Sequence, residues 1–159
     1  MANPGHWDKE RTAEIIAAHR DEPGALLPIL HDIQAAFRHI PREAMVMIAE
    51  ALNLSRAEIH GVVSFYHDFR EQPAGRHVLK LCQAEACQSM GGERLAADLL
   101  KKLGLDWGGT TKEGALTVEP VYCLGLCATA PSAILDDDRV VGRLDGTKLA
   151  ALAEEARQA

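Results

Sequence analysis

The sequence predicts an α+β chain, helical in its first half and a small sheet with helices in its second. Two observations carry this. Apolar residues recur at spacings of three and four up to about residue 70, the period of amphipathic helices. Beyond that point short alternating or apolar runs separate two helical stretches, in the order β-α-β-β-β-α, which is the pattern of a sheet with helices laid on it.

The helices come first. Lys9 to Arg20 places Ile15, Ile16 and His19 on one side. Leu26, Ile29, Leu30, Ile33 and Phe37 form the next stripe, and Pro28 requires that this helix start close before it, because proline is tolerated only in the first turn. Pro41 opens a third helix with the stripe Met45, Ile48, Ala49 and Leu52. Ser55 and Glu58 form a capping box, with Leu54 and Ile59 as its hydrophobic staple, and Ile59, Val62, Val63 and Tyr66 supply the expected buried face. The polar run Arg70 to Gly75, with Pro73, reads as a linker. It places a helical bundle domain at 1–72 and a second domain at 73–159.

In the second domain, Val78 to Leu81 is a short strand, followed by a cysteine loop and a helix from about Ser89 to Leu103 that Gly104 ends. A Gly-rich connection, Trp107 to Gly114, leads to a strand at Leu116 to Tyr122 and a second cysteine loop ending at Pro131. Ser132 to Leu135 and Arg139 to Val141 read as a hairpin around Asp136, Asp137 and Asp138. Thr147 is placed to cap a last helix with the stripe Leu149, Leu152, Ala153 and Ala156.

Several function classes are disfavoured. The net charge is −6 and no Lys/Arg run makes a basic patch, so no nucleic-acid partner is expected. No apolar run reaches the length of a transmembrane segment. Met1 to Glu10 is polar and lacks the apolar core of a secretory signal, so a cytoplasmic location is expected. In such a reducing compartment cysteines serve as ligands or redox groups more often than as disulfides.

The chemistry concentrates in four cysteines, Cys82-x4-Cys87 and Cys123-x3-Cys127, with 35 residues between the pairs. Each pair follows a predicted strand, so strands ending side by side bring all four thiols to one edge of the sheet. A [2Fe–2S] cluster takes four thiolates. It carries negative charge, and small neighbours let backbone N–H groups reach the sulfurs; Ala84, Ala86, Gly91, Gly92, Gly125, Ala128 and Ala130 are such neighbours. The helix starting near Ser89 should add its positive end. Zinc accepts the same spacings, which leaves a zinc-binding structural adaptor as an alternative. A dithiol oxidoreductase would normally carry C-x-x-C, and neither pair does. The plant-type ferredoxin spacing is absent as well.

The seven histidines are scattered, and only His60 and His67 share roughly one helix face. None lies in a cysteine loop, as a Rieske centre would need. Asp136 to Asp138 lack the Gly and Glu positions of an EF-hand loop and read as a solvated turn. Gly91-Gly92 is not a dinucleotide fingerprint. Trp7 and Trp107 are candidate partner anchors, Glu85 is a charge inside the first loop, and either isomer is open at Pro131.

Leu81-Cys-Gln-Ala-Glu-Ala-Cys87 and Tyr122-Cys-Leu-Gly-Leu-Cys-Ala-Thr-Ala-Pro131 resemble the thioredoxin-like [2Fe–2S] subunits of NADH dehydrogenase complexes, the family of the complex I E subunit. Leu26-Leu-Pro-Ile-Leu-His-Asp-Ile-Gln34 and Val63-Ser-Phe-Tyr-His-Asp-Phe69 resemble its helical segments. Within the family, Gln83-Ala-Glu-Ala-Cys-Gln-Ser-Met-Gly91 looks most like the gamma subunit of NAD-dependent formate dehydrogenase. The resemblance implies a thioredoxin-like second domain with a small mixed sheet, and one [2Fe–2S] cluster held by Cys82, Cys87, Cys123 and Cys127. It implies electron transfer without a substrate site on this chain. FMN and the NAD(H) site would lie on a flavoprotein partner, and formate oxidation on a molybdenum-containing one. Membership in complex I or in the diaphorase part of a bidirectional hydrogenase is the alternative within the family.

Overall fold

The computed structural model describes residues 7–158, so part of the Met1 to Glu10 reading lies outside the described residues. The chain divides after Pro73 into two compact units. The class is α+β, as expected.

The first unit holds α1 (Lys9–His19), α2 (Leu26–Phe37), α3 (Arg42–Leu52) and α4 (Arg56–Phe65). Asp8 caps α1 by accepting from the Arg11 N–H. Pro28 falls in the first turn of α2, and Pro41 stands at the cap of α3. The Ser55–Glu58 box forms in both directions, the Ser55 N–H donating to the Glu58 carboxylate and the Glu58 N–H to the Ser55 hydroxyl. The stripes meet in one core in which Ile29, Leu30, Ile33, Ile40, Ile48 and Ile59 are fully buried. Each such side chain contributes about 1.5–3 kcal/mol on leaving water. Gln34 ties the tail of the unit to α2, donating to the Asp68 carbonyl and accepting from the Arg70 N–H. Tyr66 departs from expectation: α4 stops before it, and its ring lies half-exposed against Phe65 and Phe69.

His19 joins α1 to α2. Its Nε2 lies 2.8 Å from Asp32 and its Nδ1 3.2 Å from Glu22. Hydrogen bonds to Asp32 and then Glu22 hold its pKa above the ordinary 6.5. A His raised in the folded state stabilises fully below its unfolded pKa, and the contribution is lost as pH climbs through the folded one. The first unit is therefore expected to lose stability as pH rises from about 6.5, with the loss absent in His19→Gln. Denaturant melts of both chains across that window check this, and equal slopes refute it.

The second unit holds β1 (His77–Cys82), α5 (Glu85–Ser89), α6 (Gly92–Leu103), β2 (Leu116–Val121), β3 (Ala133–Leu135), β4 (Arg139–Val141) and α7 (Gly146–Gln158). The sheet order is β2-β1-β3-β4, with β1 parallel to β2 and the other pairs antiparallel. Parallel pairing needs a long crossover, which α6 and the Gly-rich connection provide. Leu79, Leu81, Leu116, Val118, Ala133 and Leu135 of the sheet share one core with Ala96, Leu99 and Leu100 of α6 and Leu149, Leu152, Ala153 and Ala156 of α7.

Two local expectations are corrected. The helix expected from Ser89 is two helices, a five-residue α5 inside the first cysteine loop and α6 from Gly92, separated at Gly91, whose φ of 87° leaves the helical region. Asp145, not Thr147, caps α7, accepting from the Lys148 N–H. The Asp136–Asp138 hairpin turn is exposed, as expected, and is tied down on one side: Asp136 accepts from the Val78 N–H and lies 2.6 Å from His77 Nδ1. The Ala130–Pro131 bond is cis.

Candidate metal centre

The register of the parallel pair sets the site. Cys82 ends β1 opposite Val121, the last residue of β2, and the ladder runs on as the Gln83 N–H donates to the Val121 carbonyl. Cys123 is two residues beyond, so both cysteine loops leave the same end of adjacent strands. A third segment arrives there from β3: the Cys82 N–H donates to the Ser132 carbonyl at 3.0 Å.

Cys87 rides on α5 and is buried, 2% exposed. Gly92 lets α6 begin directly against it, since a Cβ at Gly92 would lie 2.6 Å from the Cys87 carbonyl oxygen. The expected positive helix end thus meets the Cys87 backbone three residues later than the sequence indicated. In the second loop Cys123 takes a φ of 81°, rare for a residue with a Cβ. This tight turn, continued by Gly125 at 75°, aims the Gly125 N–H at the Cys123 sulfur, 3.4 Å away. Cys127 opens a short 3-10 turn, and its sulfur lies 3.9 Å from that of Cys123. Two thiolates on one tetrahedral metal at about 2.3 Å sit about 3.8 Å apart, so this pair is already at bridging separation.

The electrostatics are those of a concentrated anion site. Burial pushes the Cys82 thiol up, but the Ala84 N–H, the Cys87 side chain and the N–H groups of Cys123 and Leu124 outweigh it and hold the pKa below its usual value. Cys127 is held up, first by its hydrogen bond and charge interaction with Cys123, then by burial and by the charges of Cys87 and Cys82. Like charges gathered this closely disfavour one another, so ionising all four cysteines would call for a cationic partner. Among the described residues no three Cys, His, Asp or Glu side chains close on a single metal ion. The sulfurs come instead as two pairs, Cys82 with Cys87 and Cys123 with Cys127. Four cysteine thiols gathered at one end of the sheet are the donor set that a [2Fe–2S] cluster would take.

Around the site Met90 and Tyr122 are exposed, at 63% and 74%, and Glu85 starts α5. His77 and Asp136 bind each other beside the start of β1 rather than at its cysteine end. Trp7 closes the helical core by donating to Thr12, and Trp107 is 41% exposed. Ser132, which no sequence signal singled out, reaches the site through its hydroxyl, 3.5 Å from the Cys87 sulfur.

Comparisons with known proteins show the family of the chain. Residues 12–157 match the family model described as thioredoxin-like [2Fe-2S] ferredoxin. The chain is 35% identical over 121 residues to the E subunit of NADH-quinone oxidoreductase from Pseudomonas aeruginosa, covering 76% of this chain and 73% of that one. It is 34% identical over 151 residues to the E subunit numbered 2 of NADH-quinone oxidoreductase from Rhizobium meliloti, covering 95% and 89%. A chain of the NAD+-reducing [NiFe]-hydrogenase, in the crystal structure of its air-oxidized state, superposes with a TM-score of 0.71 at 28% identity over 87% of this chain, which spans only 24% of the hydrogenase chain. No described helix is long and apolar enough to cross a membrane. The chain belongs to the thioredoxin-like [2Fe-2S] ferredoxin family, whose members hold a [2Fe–2S] cluster.

Proposed function

We propose that this chain is the electron-transfer subunit of an NAD-linked oxidoreductase complex, with Cys82, Cys87, Cys123 and Cys127 as the ligands of one [2Fe–2S] cluster. The observation that carries the reading is the meeting of two thiol pairs at the ends of adjacent parallel strands. When bound, the cluster accepts and returns one electron at a time, which complements a flavin that exchanges two with NAD(H).

The chain's own residues do the holding. β1 and β2 fix Cys82 and the approach to Cys123, α5 carries Cys87, and the 3-10 turn carries Cys127. N–H groups of Ala84, Cys123 and Leu124 face the Cys82 sulfur, and that of Gly125 faces Cys123. The domains are the bundle at 1–72 and the cluster domain at 73–159. Partners are a flavoprotein subunit carrying FMN and the NAD(H) site and, in the finer reading, a molybdenum-containing formate-oxidising subunit, all in the cytoplasm. The relatives named above support the coarser reading. The formate assignment rests on the loop Gln83 to Gly91 and its likeness to the formate dehydrogenase gamma subunit. The exposed Met90 and Tyr122 beside the cysteines support a partner at that face.

Iron, zinc and sulfide analysis of the anaerobically purified chain, with EPR before and after dithionite, tests the cluster. Two irons, two sulfides and a signal of one spin after reduction are expected from a [2Fe–2S] protein. One zinc and no signal would remove the electron-transfer function. Copurification from the native host tests the parent complex: formate-dependent NAD+ reduction in the purified assembly supports the finer reading, and NADH–quinone or hydrogen-dependent activity replaces it.

A further inference from the structure

Donors differ around the four sulfurs. Cys82 is faced by backbone N–H groups of Ala84, Cys123 and Leu124, and Cys123 by that of Gly125. Cys87 is met by a side-chain hydroxyl, that of Ser132. A backbone donor survives substitution, whereas a hydroxyl is written into the sequence at one position. Ser132 is 2% exposed, and the Cys87 sulfur is its side chain's only hydrogen-bond partner among the described residues. Its backbone is fixed by the Cys82 N–H, and its neighbour Pro131 accepts from the Leu144 N–H. The hydroxyl is thus held in a buried place with one partner among the described residues.

We infer that Ser132 is a positioning and tuning residue of the cluster, donating its hydroxyl hydrogen to Cys87 Sγ and raising the reduction potential. The inference rests on the assignment of Cys87 as a ligand. A metal-bound thiolate has no proton to give, so the hydroxyl is the donor. Reduction adds one electron, makes and breaks no covalent bond, and leaves the hydroxyl proton on Ser132. The added charge falls partly on the ligand sulfurs, and a hydrogen bond strengthens as its acceptor becomes more negative. The bond therefore favours the reduced state, and hydrogen bonds to sulfur are among the determinants of potential in such clusters. A charge-assisted bond in a buried site is of a size to shift the reduction equilibrium about tenfold, which for one electron is about 59 mV.

The test is a redox titration followed by EPR on the loaded full chain, with iron and sulfide assayed in every sample. Ser132→Ala is expected to keep its cluster and titrate about tenfold in equilibrium constant, about 59 mV, below the wild type. Ser132→Thr, which keeps the hydroxyl, is expected to stay near the wild-type potential. Resonance Raman should show a stronger iron–sulfur stretch for one cysteine in Ser132→Ala, the signature of a lost hydrogen bond. A fully loaded Ser132→Ala with unchanged potential and stretch overturns the role of Ser132 and leaves the ligands standing. A wild-type chain that takes up no cluster overturns both. Should circular dichroism show Ser132→Ala unfolded, Ser132→Thr decides: a wild-type potential supports the bond, and a drop as large as that expected for Ser132→Ala refutes it.

Discussion

A Cys123→Ser chain is expected to emerge from anaerobic purification folded but with most of its iron and sulfide lost. Serine keeps the shape of cysteine, but its hydroxyl does not ionise near neutral pH as a thiol can, and iron in such clusters is held by thiolates. Cys123 is the informative position because it is exposed, whereas Cys82 and Cys87 lie in the small apolar cluster with Ala130. Substitution at either buried site mixes a packing defect with a lost ligand. At Cys123 the packing cost is within the range of ordinary surface changes, about 0.5 kcal/mol, so metal loss reads ligation alone. Iron and sulfide assays beside circular dichroism make the measurement. A full cluster load with an unchanged visible spectrum would show that Cys123 is not a ligand.

The second large effect lies in the sheet. Leu79→Ala is expected to destabilise the second unit by about 2–5 kcal/mol, the range for truncating a fully buried Leu. Leu79 is 0% exposed and stands in the middle of β1, with Val118 on one side and Leu135 on the other. Denaturant unfolding followed through Trp107 fluorescence reports on this unit, because the other tryptophan, Trp7, belongs to the first. A change below about 1 kcal/mol would mean that the cavity collapses and that β1 is less rigid than its central place suggests.

Much of this was legible in the sequence wherever a local signal had one structural solution. The Ser55–Glu58 box, Pro41 before α3 and Gly104 after α6, with its φ of 67°, each fall where side-chain or backbone chemistry leaves little choice. Two short runs followed by cysteine pairs were enough to foresee loops at one sheet edge, because neighbouring strands carry their ends together. What escaped depends on distance along the chain or on a single backbone angle. Glu85–Ser89 is too short to show a stripe, and Gly91 splits the helix through a positive φ that composition does not announce. Asp145 outcompetes Thr147 as a cap because the chain enters α7 two residues earlier than the apolar stripe implies. Ser132 was invisible for a different reason. It meets Cys87, 45 positions away, only because β3 lies antiparallel to β1.

The parallel pairing of β1 with β2 also bears on how the protein is made. The first cysteine pair leaves the ribosome long before the second, and the two cannot meet until the crossover has been laid down and β2 has docked. Distant parallel contacts of this kind form slowly. On the proposed ligand set, iron would find all four thiolates only on a sheet that already exists. In the proposed ligation a seated cluster would clip the chain between Cys82 and Cys127 into a closed loop, which would strip conformational freedom from the unfolded ensemble as a crosslink does. Maturation of the cofactor is then the act that locks the domain, and its loss is an unlocking.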